Sequence, residues 1–143
     1  MAEVLIVDDE RDIVEALAEL LVGEGHRVWI AYDGVEGLDC LRAKAVDLIL
    51  LDVDMPRLSG PEMAYQVFLM DVGREKIFVV LLSATPDLAH VASVIGTPYF
   101  LAKPFPAEDL FRLMARALVE GKPPAPHWGP SLDEGPRVPA GRG

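Results

Sequence analysis

Five polar groups stand at or just after the ends of short apolar runs. Asp8 and Asp9 follow VLIV, Asp52 follows LILL, Ser83 follows IFVVLL and Lys103 follows YFLA. If these runs are parallel strands, their carboxyl ends share one edge of a sheet, where open α/β folds bind ligands. Carboxylates gathered there repel one another strongly unless positive charge sits among them. A hard divalent cation such as Mg²⁺, which takes oxygen ligands and keeps several waters, meets that need. Lys103 supplies a second, fixed cation. Three acids, a hydroxyl, a lysine and an oxygen-bound metal form a site for a phosphoryl group. Metal and lysine neutralise its equatorial oxygens, the hydroxyl donates a hydrogen bond, and a carboxylate attacks phosphorus in line. Taken singly, each residue has a plainer reading: an Asp after a strand is usually a helix cap, and a lone Lys is usually solvated. Only the joint placement points to chemistry.

The elements that must carry these groups are legible from periodicity. Val4–Val7, Arg27–Ala31, the run Leu48–Leu51, Ile77–Leu82 and Tyr99–Ala102 read as strands, and the unbroken apolar ones as strands buried on both faces. Helices are expected between them. The first carries Ile13, Leu17, Leu20 and Leu21, with Asp9, Glu10 and Asp12 at its dipole-favoured start and Gly23 and Gly25 at its end. Asp33 and Glu36 are spaced as a capping box for a second helix, to about Ala43. Gly60-Pro61 opens a third, with Met63, Val67 and Met70 as its buried stripe. Thr85 as cap and Pro86 as first residue open a fourth, carrying Leu88, Val91, Ala92 and Ile95 up to Gly96. Leu110, Leu113, Met114, Ala117 and Leu118 mark a fifth. Strict alternation of strand and helix implies a doubly wound parallel sheet with right-handed crossovers.

The 143-residue chain suffices for one domain with a real core. Its net charge of −10 argues against nucleic-acid or anionic-membrane binding through bulk electrostatics. A single cysteine, Cys40, excludes an internal disulfide, fits a reducing compartment and reads as a small buried side chain. No cleavable leader and no membrane-length apolar run is visible, so a cytoplasmic domain is expected. Residues 121–143 are nearly half proline or glycine and read as a flexible tail, with Trp128 alone in it, after a domain spanning residues 1–120. His26, His90 and His127 lack ligand spacing and are expected at the surface.

Asp8-Asp9, LLDVDMPRLSG, Ser83-Ala84 and LAKPF together resemble the motif set of receiver domains of two-component response regulators, in order, from Glu3 to Glu120. The resemblance implies a flavodoxin-like five-stranded parallel sheet of order 2-1-3-4-5 with helices on both faces. It implies that Asp52 is the phosphoacceptor, taking a phosphoryl group from a histidine kinase or phosphotransfer protein. Asp8, Asp9, Asp52 and the Asp54 carbonyl would hold Mg²⁺, or Mn²⁺ in its place. Ser83, Ala84 and Lys103 would surround the phosphate, the Lys103–Pro104 bond would be cis, and Ser83 and Phe100 would report the phosphorylated state by moving inward. Partners would be the donor and an unnamed downstream protein, with a homodimer through the face of the fourth helix, fifth strand and fifth helix. A domain that phosphorylates and dephosphorylates itself is a signalling module rather than a turnover enzyme.

The sequence departs from that pattern in places. Phe100 stands where tyrosine is commoner, so any signal needing a phenol hydroxyl is lost. The stretch between Ser83 and Gly96 is about two residues shorter than the family spacing implies, so the fourth helix should be short or shifted. Pro98 suggests an edge position for the fifth strand. Asp54 and Thr85 flank the entrance and are placed to tune acyl-phosphate hydrolysis. Two rivals remain. DVDM also resembles the nucleophile loop of haloacid-dehalogenase-type phosphatases, although the loop normally follows the first strand and no cap domain fits in this length. A receiver-like module that binds partners without phosphorylation is the other, against which the intact set of site residues argues. After the fifth helix only the tail remains, which suits a stand-alone receiver or a domain cut from a longer chain.

Overall fold

All four residues of the Leu48–Leu51 run are buried, and they form the middle strand of a five-stranded parallel sheet. The structure is a computed structural model, described over residues 2–55, 58–70 and 77–121. Its elements are β1 (Glu3–Val7), α1 (Arg11–Gly23), β2 (Arg27–Ala31), α2 (Gly34–Ala43), β3 (Leu48–Leu51), α3 (Gly60–Met70), β4 (Phe78–Ser83), α4 (Leu88–Ile95), β5 (Phe100–Ala102) and α5 (Ala107–Glu120). The strand order is β2-β1-β3-β4-β5, the doubly wound flavodoxin-like arrangement expected from the sequence. The tail with His127 and Trp128 lies outside the described residues, as does the side chain of Met70.

Alternate side chains of the central strands serve two cores. Leu5, Val7, Ile49, Leu51, Val79 and Leu81 meet α2, α3 and α4 through Leu41, Met63, Val67, Ala92 and Ile95. Val4, Ile6, Leu48, Leu50, Val80 and Leu82 meet α1 and α5 through Val14, Leu17, Leu21, Leu110 and Met114. This is why these strands read as continuously apolar: both faces are covered. Each fully buried branched side chain contributes about 1.5–3 kcal/mol, so the two cores fix the strand ends rigidly.

Some local expectations are corrected. In α1 the buried stripe is Val14, Leu17 and Leu21, while Ile13 and Leu20 are exposed. The apolar arc of α1 is wider than the strip of sheet it covers. Its excess forms one wall of a shallow groove whose other wall is Pro104 and Phe105. α4 starts at Leu88, two residues beyond Pro86, and is short at eight residues, as the spacing implied. Thr85 makes a turn rather than a cap: its Oγ1 accepts from Asp87 N at 3.5 Å and no side chain caps α4. Gly96 ends α4 with φ +82°, its N–H donating to Ala92 O at 2.8 Å. The capping box holds in modified form. Asp33 Oδ1 accepts from Glu36 N at 2.9 Å, but the Glu36 carboxylate reaches Tyr32 N, one residue earlier than the reciprocal bond of a standard box. β5 is an edge strand, in keeping with Pro98 beside it. Cys40 is half-buried beside the α2–α3 core, and burial raises its thiol pKa, the opposite of what a nucleophile needs. His26 is half-buried, its Nδ1 accepting from Ala2 N, whereas His90 is exposed.

Candidate functional site

Strand register brings the polar groups together. Val7 pairs with Leu51 and Ser83 pairs with Ala102, so Asp8 and Asp52 leave adjacent strands side by side and Lys103 leaves β5 beside Ser83. Backbone bonds continue the ladder past the strand ends: Asp52 N donates to Val7 O at 2.9 Å and Lys103 N to Ser83 O at 2.9 Å. The result is an open crevice of about 520 Å³. Asp9, Glu10, Asp52, Asp54 and Lys103 line it together with the stretch from Ser83 to Pro86. The Lys103–Pro104 bond is cis.

Asp8 and Asp52 are buried, 5 % and 8 % exposed, whereas Asp9 is exposed. Carboxylate oxygens of Asp8, Asp9 and Asp52 lie within 4.8 Å of one another. Three hard oxygen donors at that spacing fit Mg²⁺ or Mn²⁺, with open positions left for water and substrate. Lys103 Nζ donates to Asp8 Oδ2 at 2.6 Å and to Glu10 Oε1 at 3.2 Å, and stands 3.9 Å from Asp52 Oδ1. Asp52 Oδ1 accepts from Val53 N at 2.9 Å. Ser83 is buried, its Oγ accepting from Thr85 N at 3.2 Å while its own proton remains to donate.

The electrostatics follow from the burial. Desolvation pushes the Asp52 carboxyl up to about 6; Lys103 and the Val53 N–H act against this, while Asp8 and Asp9 add to it. Burial works to lower the Lys103 pKa, but Asp8, Asp52 and Glu10 outweigh it and hold the ammonium above its ordinary value. Carboxylates thus outnumber the one ammonium at this edge of the sheet.

Of the residues expected to form the site, all lie at or beside this crevice except Phe100. It lies on β5, 39 % exposed, at a surface hollow with Leu101, Arg112 and Arg116. Asp54 and Ala84 are exposed at the rim. In sequence Glu10 signals only a helix-dipole acid, and its bond to Lys103, 93 residues away, leaves no local trace there. No helix among the described residues is long and apolar enough to cross a membrane.

Fold and crevice together define a flavodoxin-like α/β domain with an acidic, lysine-bearing site at the carboxyl edge of its sheet. The chain belongs to the response regulator receiver domain family, whose model matches residues 4–115. It is 38 % identical over 138 residues to the response regulator MprA of Mycobacterium sp. (strain KMS), covering 96 % of this chain and 55 % of that protein. MprA of Mycobacterium tuberculosis (strain ATCC 25177 / H37Ra) is 37 % identical over 121 residues, 84 % of this chain and 52 % of that protein. The chain thus spans about half the length of these relatives. Among solved structures, the response regulator TrrA from Thermotoga maritima in complex with Mg(2+)-BeF is 29 % identical with a TM-score of 0.72, over 81 % of this chain and 98 % of that one. NtrX from Brucella abortus in complex with ADP is 31 % identical with a TM-score of 0.75, over 83 % of this chain and 27 % of that one.

Proposed function

We propose that this domain takes a phosphoryl group from the phosphohistidine of a histidine kinase or phosphotransfer protein onto Asp52. The observation that carries this reading is the placement of a buried Asp52 within a three-carboxylate cluster and 3.9 Å from Lys103 Nζ. An Asp52 carboxylate oxygen attacks phosphorus as the P–N bond to the donor imidazole breaks, and the electron pair leaves with the imidazole. Asp8, Asp9, Asp52 and the Asp54 carbonyl are the groups that would hold Mg²⁺, which when bound neutralises charge on the transferring phosphoryl oxygens. Lys103 takes a second oxygen, and Ser83, its hydroxyl proton free, a third. The product stays on the chain, so the domain is a switch rather than a turnover enzyme. Its output is the α4–β5–α5 face, where Phe100 is free to turn inward when Ser83 closes on the phosphate, altering contact with a downstream protein or a second copy. Incubation with acetyl phosphate and Mg²⁺ tests the reading. A stoichiometric, acid-stable and hydroxylamine-labile phosphoprotein is expected, and no incorporation would refute it.

Two further outcomes follow. A protonated Asp52 is a poor metal ligand, so cation binding must displace its proton below the metal-free pKa of about 6. Mg²⁺ affinity should climb about tenfold per pH unit below that value and level off above it. Calorimetric titration from pH 5 to 8 checks this, and a flat profile would contradict it. Asp54 and Thr85 both line the crevice, where they would flank a water approaching the acyl phosphate. Asp54→Ala, which removes a carboxylate able to orient that water, should lengthen the acyl-phosphate lifetime a few-fold. Thr85→Ala, which widens the entrance, should shorten it. Unchanged lifetimes in both variants would remove these residues from the chemistry.

A further inference from the structure

Glu10 occupies the N-cap position of α1, yet its side chain caps nothing there. Short side chains such as Ser, Thr, Asp and Asn reach the first free amides of a helix, so a glutamate at this position leaves α1 under-capped. The carboxylate goes instead to Lys103, accepting from Nζ at 3.2 Å. Asp8 orients this contact from both ends. Its Oδ1 accepts the Glu10 N–H at 3.0 Å and its Oδ2 accepts Lys103 Nζ at 2.6 Å. The ammonium, on a side chain only 13 % exposed, is therefore held by two carboxylates on the α1 side. From there Asp52 Oδ1 is 3.9 Å away, beyond hydrogen-bond distance.

We propose that Glu10 is a positioning residue that holds Lys103 back from Asp52 until a phosphoryl group arrives, and so sets how readily the site accepts one. The inference rests on the phosphoacceptor reading of Asp52. Asp8 cannot serve as the only anchor. It belongs to the acidic cluster that fits a cation, and a cation on Asp8 weakens its attraction for Lys103. Glu10 lies outside that cluster. A phosphoryl group on Asp52 then competes with Glu10 for one ammonium. Glu10, with a side chain 56 % exposed, is the more solvated competitor and gives way, but at a cost that its removal abolishes.

The experiment measures binding of beryllofluoride, a phosphoryl mimic, in the presence of Mg²⁺. Glu10→Gln should tighten it about three- to tenfold. Asp12→Asn removes the same charge from an exposed position on the first turn of α1 and should change binding less than about twofold. In the metal-free protein, ¹⁵N-edited NMR should show faster exchange of the Lys103 ammonium protons in Glu10→Gln and not in Asp12→Asn. Equal effects of the two substitutions would make this a long-range charge effect and overturn the proposal. Unchanged binding in Glu10→Gln, or unchanged Lys103 exchange, would overturn it as well. Wild-type protein that fails to bind beryllofluoride would instead overturn the phosphoacceptor reading, with the NMR comparison still reporting on the Glu10–Lys103 contact.

Discussion

Asp52→Asn is expected to abolish phosphoryl uptake completely while making the metal-free protein more stable at neutral pH. The loss follows from chemistry: an amide oxygen does not attack phosphorus, and no other carboxylate occupies this place at the end of β3. The gain follows from the raised pKa. A carboxyl that titrates at about 6 in the folded chain, against an ordinary value of 3.8, binds its proton more tightly folded than unfolded. Its contribution to stability is therefore intact below pH 3.8 and is lost as pH rises through 6. Above that, the buried charge costs on the order of 2–3 kcal/mol, at about 1.4 kcal/mol for each pH unit separating the two values. The Asp52 side chain is only 10 % exposed, so solvent screening removes little of this. Asparagine keeps the shape and can still accept the Val53 N–H, without the charge. Urea denaturation in a chelator at pH 7.5 should show the variant more stable by roughly that amount. At pH 4 most of the difference should be gone. A variant no more stable than wild type at pH 7.5 would mean that Asp52 is not under electrostatic strain.

The same residue illustrates what was legible in the sequence. A run of four apolar residues ending in Asp52 gave away a buried strand and a carboxylate at its edge, because only a sheet covered on both faces tolerates such a run. Convergence of the strand ends follows from strict alternation with helices, whereas the strand order comes only from the resemblance to receiver domains. The face of α1 was misread because Ile13–Leu17–Leu20 and Val14–Leu17–Leu21 are both helical stripes sharing Leu17, and only the packed sheet chooses between them. Thr85-Pro86 is a strong local start signal that points to a start of α4 earlier than Leu88. In the fold, the Thr85 N–H is drawn back to Ser83 Oγ, and the chain turns for two more residues before Leu88. The Asp52 pKa and the Glu10–Lys103 bond depend on burial and on pairs distant in sequence, so no spacing rule encodes them.

Gly60→Ala should be the most damaging single-methyl change near the site, and its effect ties the stability of the fold to the placement of Asp52. A Cβ on Gly60 would overlap Asp52 O and stand 2.9 Å from Val53 Cα and 3.1 Å from Asp52 C. All three are backbone atoms, so no side chain can swing aside. The close approach has a cause: Gly60 N donates to Val53 O at 2.8 Å, pinning the first turn of α3 to the chain just beyond the phosphoacceptor. A methyl group forces those segments apart, breaks that bond and shifts the end of β3. The expected cost is about 3 kcal/mol of stability from overpacking, a fall of roughly 10 °C in Tm for a domain of this size. Molecules that still fold should carry Asp52 displaced on the order of 1 Å from its line to the phosphoryl group, enough to slow phosphorylation by acetyl phosphate about 100-fold. Gly23→Ala is the control, since nothing lies within 4 Å of a Cβ at the last residue of α1. It should stabilise the protein by about 0.5–1 kcal/mol and leave the rate unchanged. Wild-type melting and phosphorylation in Gly60→Ala would show that the α3 contact does not position Asp52. Loss of the rate without loss of stability would instead show that the strain is absorbed at the strand end, with Asp52 itself moving while the two cores stay packed.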